Sequence, residues 1–146
     1  LFQNTDSSAV LQTAEKMGKR AFGWDSDMTA YGPKAHLGSA VINWGPYYVK
    51  AVKDALEGTW STGGVWWGHK EGAIDMVSVA DDVPAEIKAK VDTIKAGLKD
   101  GSFHPWTGPI VGQDGKEVLA KDAKADDAFL GGVKFYVKGV EGKVPN

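Results

Sequence analysis

Two clusters of polar side chains come directly after predicted apolar strands. Asp25-Ser26-Asp27 follows the mostly apolar residues 20–24, and Asn4-Thr5-Asp6-Ser7 follows Leu1-Phe2. In an open α/β sheet, ligands collect at the carboxyl ends of strands. A carboxylate accepts two hydrogen bonds in one plane, which suits a diol or the amidine-like edge of a base. These residues predict a binding surface for a small polar ligand, although loop and helix-cap roles also account for their types.

Five tryptophans lie near predicted strand ends or connectors, where flat apolar faces can stack on a sugar or a purine. They are Trp24, Trp44, Trp66, Trp67 and Trp106. Core packing accounts for some of them. Trp44 and its neighbour Asn43 immediately follow a predicted connector strand, so we expect these two residues to contact the ligand.

No catalytic or metal site is predicted. Asp25-x-Asp27 is not a calcium loop, because the required glycine position holds Ala30 and the terminal acidic position holds His36. None of the histidines has a second ligand at helical spacing, so surface or packing roles are expected for His36, His69 and His104. The sequence also lacks a G-x-S-x-G nucleophile elbow and a phosphate-binding glycine loop. We therefore expect neither an enzyme nor a cofactor.

Composition excludes further classes. The chain has 146 residues, with 17 Lys+Arg against 19 Asp+Glu, so it lacks the basic excess that drives nucleic-acid binding. No apolar run approaches the roughly 18 residues of a membrane helix. With 0 cysteines there are no disulfides, thiolate zinc sites or cysteine nucleophiles. The chain opens at Leu1-Phe2 without an initiator Met or a signal peptide, which we interpret as a fragment or a processed chain.

The first third of the sequence predicts a strand, a helix and a strand, the unit that builds parallel sheets. Apolar residues recur at helical spacing from Val10 to Met17, and Gly18 stands where a left-handed C-cap belongs. A connector strand is expected over residues 38–42. Asn43 should then cap a helix that ends at Gly58. The apolar side chains that recur along that helix are Tyr48, Val52 and Leu56.

Five further elements are expected along the rest of the chain. Strands are predicted over residues 65–67 and 73–80, the second with apolar side chains on both faces. Asp82 should cap a helix, closed by Gly101, that carries an apolar stripe. The stripe consists of Ile87, Val91, Ile94 and Leu98. A hairpin is predicted around Asp114-Gly115, and a short helix from Asp126-Asp127 to Tyr136.

An ordered set of motifs resembles the basic membrane protein family of periplasmic binding proteins, which serve ABC transporters. The set begins with residues 22–28, reading Phe-Gly-Trp-Asp-Ser-Asp-Met, followed by residues 37–41, reading Leu-Gly-Ser-Ala-Val. A helix that starts at Val83-Pro84 comes next. Residues 135–140, with Gly142 and Pro145, are similar to the tail of one branch of the family. No single motif is specific, but the match covers nearly the whole chain in order.

The resemblance implies an α/β fold, the parallel-sheet lobe of a two-lobed type I periplasmic-binding-protein fold, present as a fragment. Residues 1–37 would form a strand-helix-strand unit of the second lobe. Residues 38–64 would form the hinge strand and a helix that packs on the absent first lobe. Residues 65–146 would return to the second lobe, cross the hinge near residues 105–110, and end in a hairpin and helix.

The family's ligands are purine nucleosides and, in some members, purine bases. The aspartate that holds ribose hydroxyls in that family matches Asp25. This chain departs from the pattern, because Asn4-Thr5-Asp6-Ser7 replaces a glycine-rich turn and Ile42 replaces a lysine that contacts ribose. Loss of that lysine favours a smaller ligand such as adenine. The ligand-binding residues expected from all these considerations are Asn4, Thr5, Asp6, Asp25, Asp27, Asn43 and Trp44.

The resemblance further implies an ABC transporter permease as partner and a periplasmic or otherwise extracytoplasmic location. Any contact with the membrane would be through a lipid anchor on the part before Leu1. Three alternatives stay open: a sugar or autoinducer receptor of the same fold, a carbohydrate-active enzyme that uses Asp25 and Asp27, and the ligand-sensing domain of a transcription regulator.

Overall fold

A computed structural model describes residues 1–144 and divides the chain into two compact units, Leu1–Ser102 and Phe103–Asn146. The first unit contains, in chain order, α1 (Ala9–Lys16), β1 (Ala21–Asp25), a 3-10 turn (Thr29–Tyr31), β2 (His36–Ile42), α2 (Gly45–Leu56), β3 (Ile74–Val77) and α3 (Ala85–Asp100). The second contains β4 (Ile110–Val111), β5 (Glu117–Leu119) and α4 (Asp127–Gly131). The α/β fold class and the presence of parallel strands are confirmed.

The predicted strand-helix-strand unit is present only in part: α1 and β1 form, whereas residues 1–5 are not a strand. The backbone of Leu1 donates to the Arg20 carbonyl at 2.7 Å and accepts from the Phe22 N–H at 3.0 Å, the pattern of a parallel pair. The rings of Phe2 and Phe22 stack with centroids 4.6 Å apart. Helix α1 is followed by Gly18 at φ +62°, so the predicted left-handed cap residue is confirmed.

Strands β1, β2 and β3 form one sheet in that order, with β1 parallel and β3 antiparallel to β2. The strand expected over residues 73–80 is shorter than predicted, since β3 covers only Ile74–Val77. The expectation that both faces of this strand are buried is also wrong, because no residue of β3 is buried. The strand predicted over residues 65–67 is absent and Trp66 is 78% exposed. Those three residues have no neighbouring strand to pair with, so apolar side chains alone do not make them a strand.

The core of the first unit lies between α1 and β1. It consists of Leu11, Ala14, Ala21, Met28 and Ala35. The predicted helical periodicity of α1 is confirmed by the burial of Leu11 and Ala14, whereas Met17 is exposed. Two polar residues, His36 and Ser39, are buried beside this core.

Helix α2 begins at Gly45 with Trp44 as its N-cap residue, so the cap role predicted for Asn43 is wrong. The Asn43 side-chain oxygen lies one residue earlier and accepts the Gly45 N–H at 3.1 Å. The apolar residues Tyr48, Val52 and Leu56 are all exposed, and no residue of α2 is buried. This helix therefore presents an apolar face that nothing in the described part of the chain covers.

Helix α3 begins two residues later than the cap prediction required. Pro84 is its N-cap residue, and Asp82 instead forms a two-pronged ion pair with Arg20 at 2.5 and 2.8 Å. The predicted cap role of Asp82 is wrong, because a guanidinium with fixed geometry is a stronger partner than a backbone N–H. Ile87 and Ile94 of the predicted stripe are each more than 40% exposed.

The second unit contains the predicted hairpin, in which β4 and β5 pair antiparallel and Gly115 has φ +81°. Asp126 caps α4 by accepting the Phe129 N–H at 2.8 Å, as expected. The helix ends at Gly131 rather than reaching Tyr136, since two successive glycines favour termination. Pro145, quoted for the family tail, lies outside the described residues. Among residues 1–144, none of the helices has the length and apolarity to cross a bilayer.

Candidate functional site

An open cleft of about 710 Å³ lies at the carboxyl ends of β1 and β2, where ligands of open α/β sheets collect. The start of β3 and one side of α3 complete its wall. Three of the expected ligand residues line it, Asp25, Asp27 and Asn43. The β1-β2 pairing brings them together, because parallel strands end at the same edge of the sheet.

The other expected residues do not line this cleft. Asn4, Thr5 and Asp6 are exposed, and the Thr5 hydroxyl donates to the side chain of Gln3 at 2.8 Å. Trp44 is 56% exposed and stacks on Tyr48 with ring centroids 6.1 Å apart. Its flat face is therefore engaged with α2.

Asp25 is the last residue of β1 and has φ +70°, a left-handed conformation that non-glycine residues rarely adopt. Its side chain is exposed and makes no hydrogen bond or ion pair with any residue of the described chain. Strain of this kind persists where the surrounding structure imposes it, and it clusters at ligand sites. The free carboxylate is thus available to a ligand in the cleft.

Asp27, by contrast, uses both of its oxygens within the protein. One accepts from the Thr29 N–H at 3.0 Å and the Thr29 hydroxyl at 2.6 Å, and the other accepts from the Ser78 hydroxyl at 2.5 Å. The Ser78 hydroxyl and then the two Thr29 groups lower the pKa of Asp27 to about 2. Asp27 fastens the loop after β1 to the segment after β3, and so it supports the position of Asp25.

A buried chain of hydrogen bonds continues from this loop into the core. Since the Asp27 carboxylate only accepts, the Thr29 hydroxyl must donate to it and is left to accept from Nδ1 of His36, 3.3 Å away. Nε2 of His36 is 2.8 Å from the Ser39 hydroxyl, which also accepts the Met28 N–H at 3.1 Å. These directions place a proton on Nδ1 of His36; in a neutral ring, Nε2 then accepts from the Ser39 hydroxyl. Burial lowers the pKa of His36, in agreement with a neutral ring.

This assignment predicts a pH dependence of stability. An unfolded His36 takes up a proton near its ordinary pKa of about 6.5, whereas the folded protein resists protonation until a lower pH. Stability is therefore fully present above about pH 6.5 and is lost as the pH falls toward the folded pKa. We expect thermal melts between pH 8 and pH 5 to show this loss of stability. A His36→Gln variant should be less stable than the wild type at pH 8, but its stability should change less between pH 8 and pH 5. Equal slopes for both proteins would contradict the assignment.

Asp75, Lys95 and His69, which lie beside one another in the cleft wall, were not predicted as ligand-site residues. Asp75 of β3 receives Nζ of Lys95 at 2.9 Å, and Nδ1 of His69 lies 3.9 Å from the same carboxylate. Burial raises the pKa of Asp75, but the Lys95 hydrogen bond, the Met76 N–H and the charges of Lys95 and His69 together bring it below its usual range. His69, expected on the surface or in packing, lines the cleft.

The signal that could have found Asp75 was a lone carboxylate inside an otherwise apolar strand, Ile74–Val77, because buried positions seldom hold an unpaired charge. No grouping of His, Cys, Asp and Glu within residues 1–144 could hold a metal ion.

Comparisons with known proteins agree on one family. The family described as ABC transporter substrate-binding protein PnrA-like matches residues 2–99. A curated purine-binding protein of Brucella abortus (strain 2308) is 43% identical over 143 residues, covering 98% of this chain and 41% of the relative. The chain thus spans less than half the length of that relative.

A solved structure shares the fold. The crystal structure of a transcriptional activator of the comK gene from Bacillus halodurans superposes with a TM-score of 0.64 at 20% identity, covering 71% of this chain and 38% of the other.

Proposed function

This chain belongs to the PnrA-like family of ABC transporter substrate-binding proteins, and we propose that it is the second-lobe part of a receptor that binds a purine base or nucleoside for import. The observation that carries the proposal is the 43% identity to a purine-binding protein along 98% of the chain. The cleft at the strand ends supports it, because an uncommitted carboxylate, Asp25, stands at the position that the family pattern assigns to the ligand.

The lobe assignment made from the sequence is part of this proposal. Residues 1–37 and 65–146 belong to the second lobe, with a hinge crossing near residues 105–110. Residues 38–64 pack on a first lobe that precedes Leu1 in the full-length protein. The exposed apolar face of α2 supports this arrangement, since Tyr48, Val52 and Leu56 would otherwise face water. The share of the relative that this chain spans, 41%, leaves ample length for such a lobe.

Ligand binding would then close the two lobes. Stacking contributes about 1–3 kcal/mol per base and each hydrogen bond about 1 kcal/mol net, whereas a micromolar Kd needs about 8 kcal/mol. One lobe with a few polar contacts therefore binds weakly, and the second lobe supplies the remainder. A ligand that touches both lobes shifts the population toward the closed form, which a membrane permease can recognise outside the cytoplasm.

The enzyme alternative has little chemical support. A glycosidase needs a carboxylic acid with a raised pKa to protonate the leaving group. Both oxygens of Asp27 already accept hydrogen bonds from Ser78 and Thr29, which lower its pKa to about 2, so Asp27 is suited neither to donate a proton nor to attack a sugar. We propose instead that Asp27 positions the loop that carries Asp25.

The experiment that tests the function uses the full-length protein, meaning the longer polypeptide that contains this chain. Mass spectrometry of small molecules released by denaturing it is expected to find a purine. Calorimetric titration of the refolded, emptied protein with adenine, guanosine and ribose is expected to give binding of a purine and none of ribose. Release of a sugar, with ribose or another pyranose as the tight ligand, would establish the sugar-receptor alternative and overturn this one.

A further inference from the structure

Asp75 lies across the cleft from Asp25 in the same cross-strand row of the sheet. The β1-β2 register pairs Asp25 with Val41, and the β2-β3 register pairs Val41 with Asp75. All three residues line the cleft. Two strand spacings place the outer pair about 10 Å apart. An apolar residue thus lies between two carboxylates that border one cavity.

The hydrogen bonds of Asp75 leave one of its oxygens unused. Oδ1 accepts from Nζ of Lys95 at 2.9 Å and from the Met76 N–H at 2.8 Å. Oδ2 has no hydrogen-bond partner among residues 1–144. The carboxylate is therefore fixed in orientation through one oxygen and free to accept through the other. It is also half-buried, which makes a ligand hydrogen bond stronger than one at an open surface.

Lys95 orients this carboxylate. Besides Asp75, its ammonium donates to the Met76 carbonyl at 2.9 Å, which ties α3 to β3. Lys95 is a positioning residue, because two of the three N–H donors of its ammonium are directed at the protein.

We propose that Asp75 is a second ligand-binding carboxylate of the cleft, and that Asp25 and Asp75 together select a purine base that carries an exocyclic amine as well as a ring N–H. This inference rests on the proposed function. An ionised carboxylate only accepts hydrogen bonds, so a ligand carbonyl facing it finds no donor. Adenine presents an exocyclic amine and a ring N–H on different edges. Hypoxanthine has a carbonyl where adenine has the amine, with its N1–H beside that carbonyl. A carboxylate placed to accept from the amine of adenine would therefore face the carbonyl oxygen of hypoxanthine, which is disfavoured.

Calorimetric titration of the full-length protein with adenine and with hypoxanthine tests the inference. The wild type is expected to prefer adenine. Asp75→Asn is expected to weaken adenine binding by roughly 10–100-fold, the usual effect of losing a hydrogen bond to a charged group. The same variant should weaken hypoxanthine binding less, because the asparagine amide can donate to the carbonyl of hypoxanthine. The matched control is Glu86→Gln, an exposed carboxylate in the first turn of α3 that does not line the cleft, which should leave both affinities unchanged.

A second variant separates ligand contact from a merely structural role. Lys95→Met keeps the Asp75 carboxylate but removes its anchor, and it should weaken both bases alike while preserving their ratio. Equal affinity and selectivity for Asp75→Asn and wild type would overturn the inference. So would a Lys95→Met variant that reproduced the selectivity change of Asp75→Asn, since Asp75 would then act only by holding α3. A wild-type protein that binds no purine would instead contradict the proposed function itself.

Discussion

Replacing Asp25 with asparagine is expected to weaken purine binding by the full-length protein by about 10–100-fold while leaving its stability nearly unchanged. Asp25 makes no hydrogen bond or ion pair within residues 1–144, so its charge has no partner to lose in the fold. Asparagine also tolerates the left-handed backbone at φ +70°. Calorimetric titration with adenine, together with thermal melts of both proteins, measures the two effects separately.

The chain offers a matched control for this variant. Asp122 is also exposed and left-handed, with φ +62°, but belongs to the second unit and does not line the cleft. Asp122→Asn should leave binding unchanged. A third variant, Asp25→Gly, relieves the strain and should be as stable as the wild type or more so, by up to about 1 kcal/mol, yet bind as poorly as Asp25→Asn. Full affinity in either Asp25 variant would remove this residue from the site.

A methyl group at Gly23 should lower the free energy of unfolding by about 3 kcal/mol, at the upper end of the cost of overpacking. A Cβ built on Gly23 would lie 2.2 Å from Oγ of Ser39 and 2.9 Å from Cβ of Met28. The Ser39 hydroxyl is held between His36 and the Met28 N–H and cannot rotate away without breaking those bonds. Urea titration of Gly23→Ala and wild type measures the difference.

Gly23→Ala should also weaken ligand binding, because the displaced Met28 follows the loop that carries Asp25 and Asp27. Gly64→Ala is the control, since its Cβ would meet no atom within 4 Å. That variant should differ from wild type by less than about 0.5 kcal/mol. Equal stability of Gly23→Ala and Gly64→Ala would show that the close packing around Gly23 is not maintained in solution.

Several elements could be predicted from local residue patterns. Helix α1 with its glycine cap, helix α2 with its end before Gly58 and the hairpin around Asp114-Gly115 were all predicted. Each depends on helical periodicity or turn chemistry within about ten residues. The prediction of a strand at residues 65–67 was wrong because a strand also depends on long-range pairing. It needs a partner strand, and no local pattern shows whether one is present.

The candidate site also has residues that the local sequence predicted and residues that it did not. The place of Asp25 at the end of a strand was evident from the sequence, because a polar residue that ends an apolar run marks a strand terminus. From the sequence alone, Asp27 and Asp25 were equivalent candidates for binding the ligand. Ser78, 51 residues further along the chain, distinguishes them by bonding to Asp27 and leaving Asp25 free. Trp44 was expected at the ligand but stacks on Tyr48.

The sequence by itself determined the family, the α/β class, the main helices and the strand end that bears Asp25, since all of these follow from ordered motifs and short-range periodicity. Only the tertiary structure decided which carboxylates share the cleft and which are already bonded. The pairing of β3 with β2 sets Asp75 beside Val41 and opposite Asp25. That register depends on strands more than thirty residues apart in the chain meeting in one alignment, and the spacing of neighbouring residues carries no information about it.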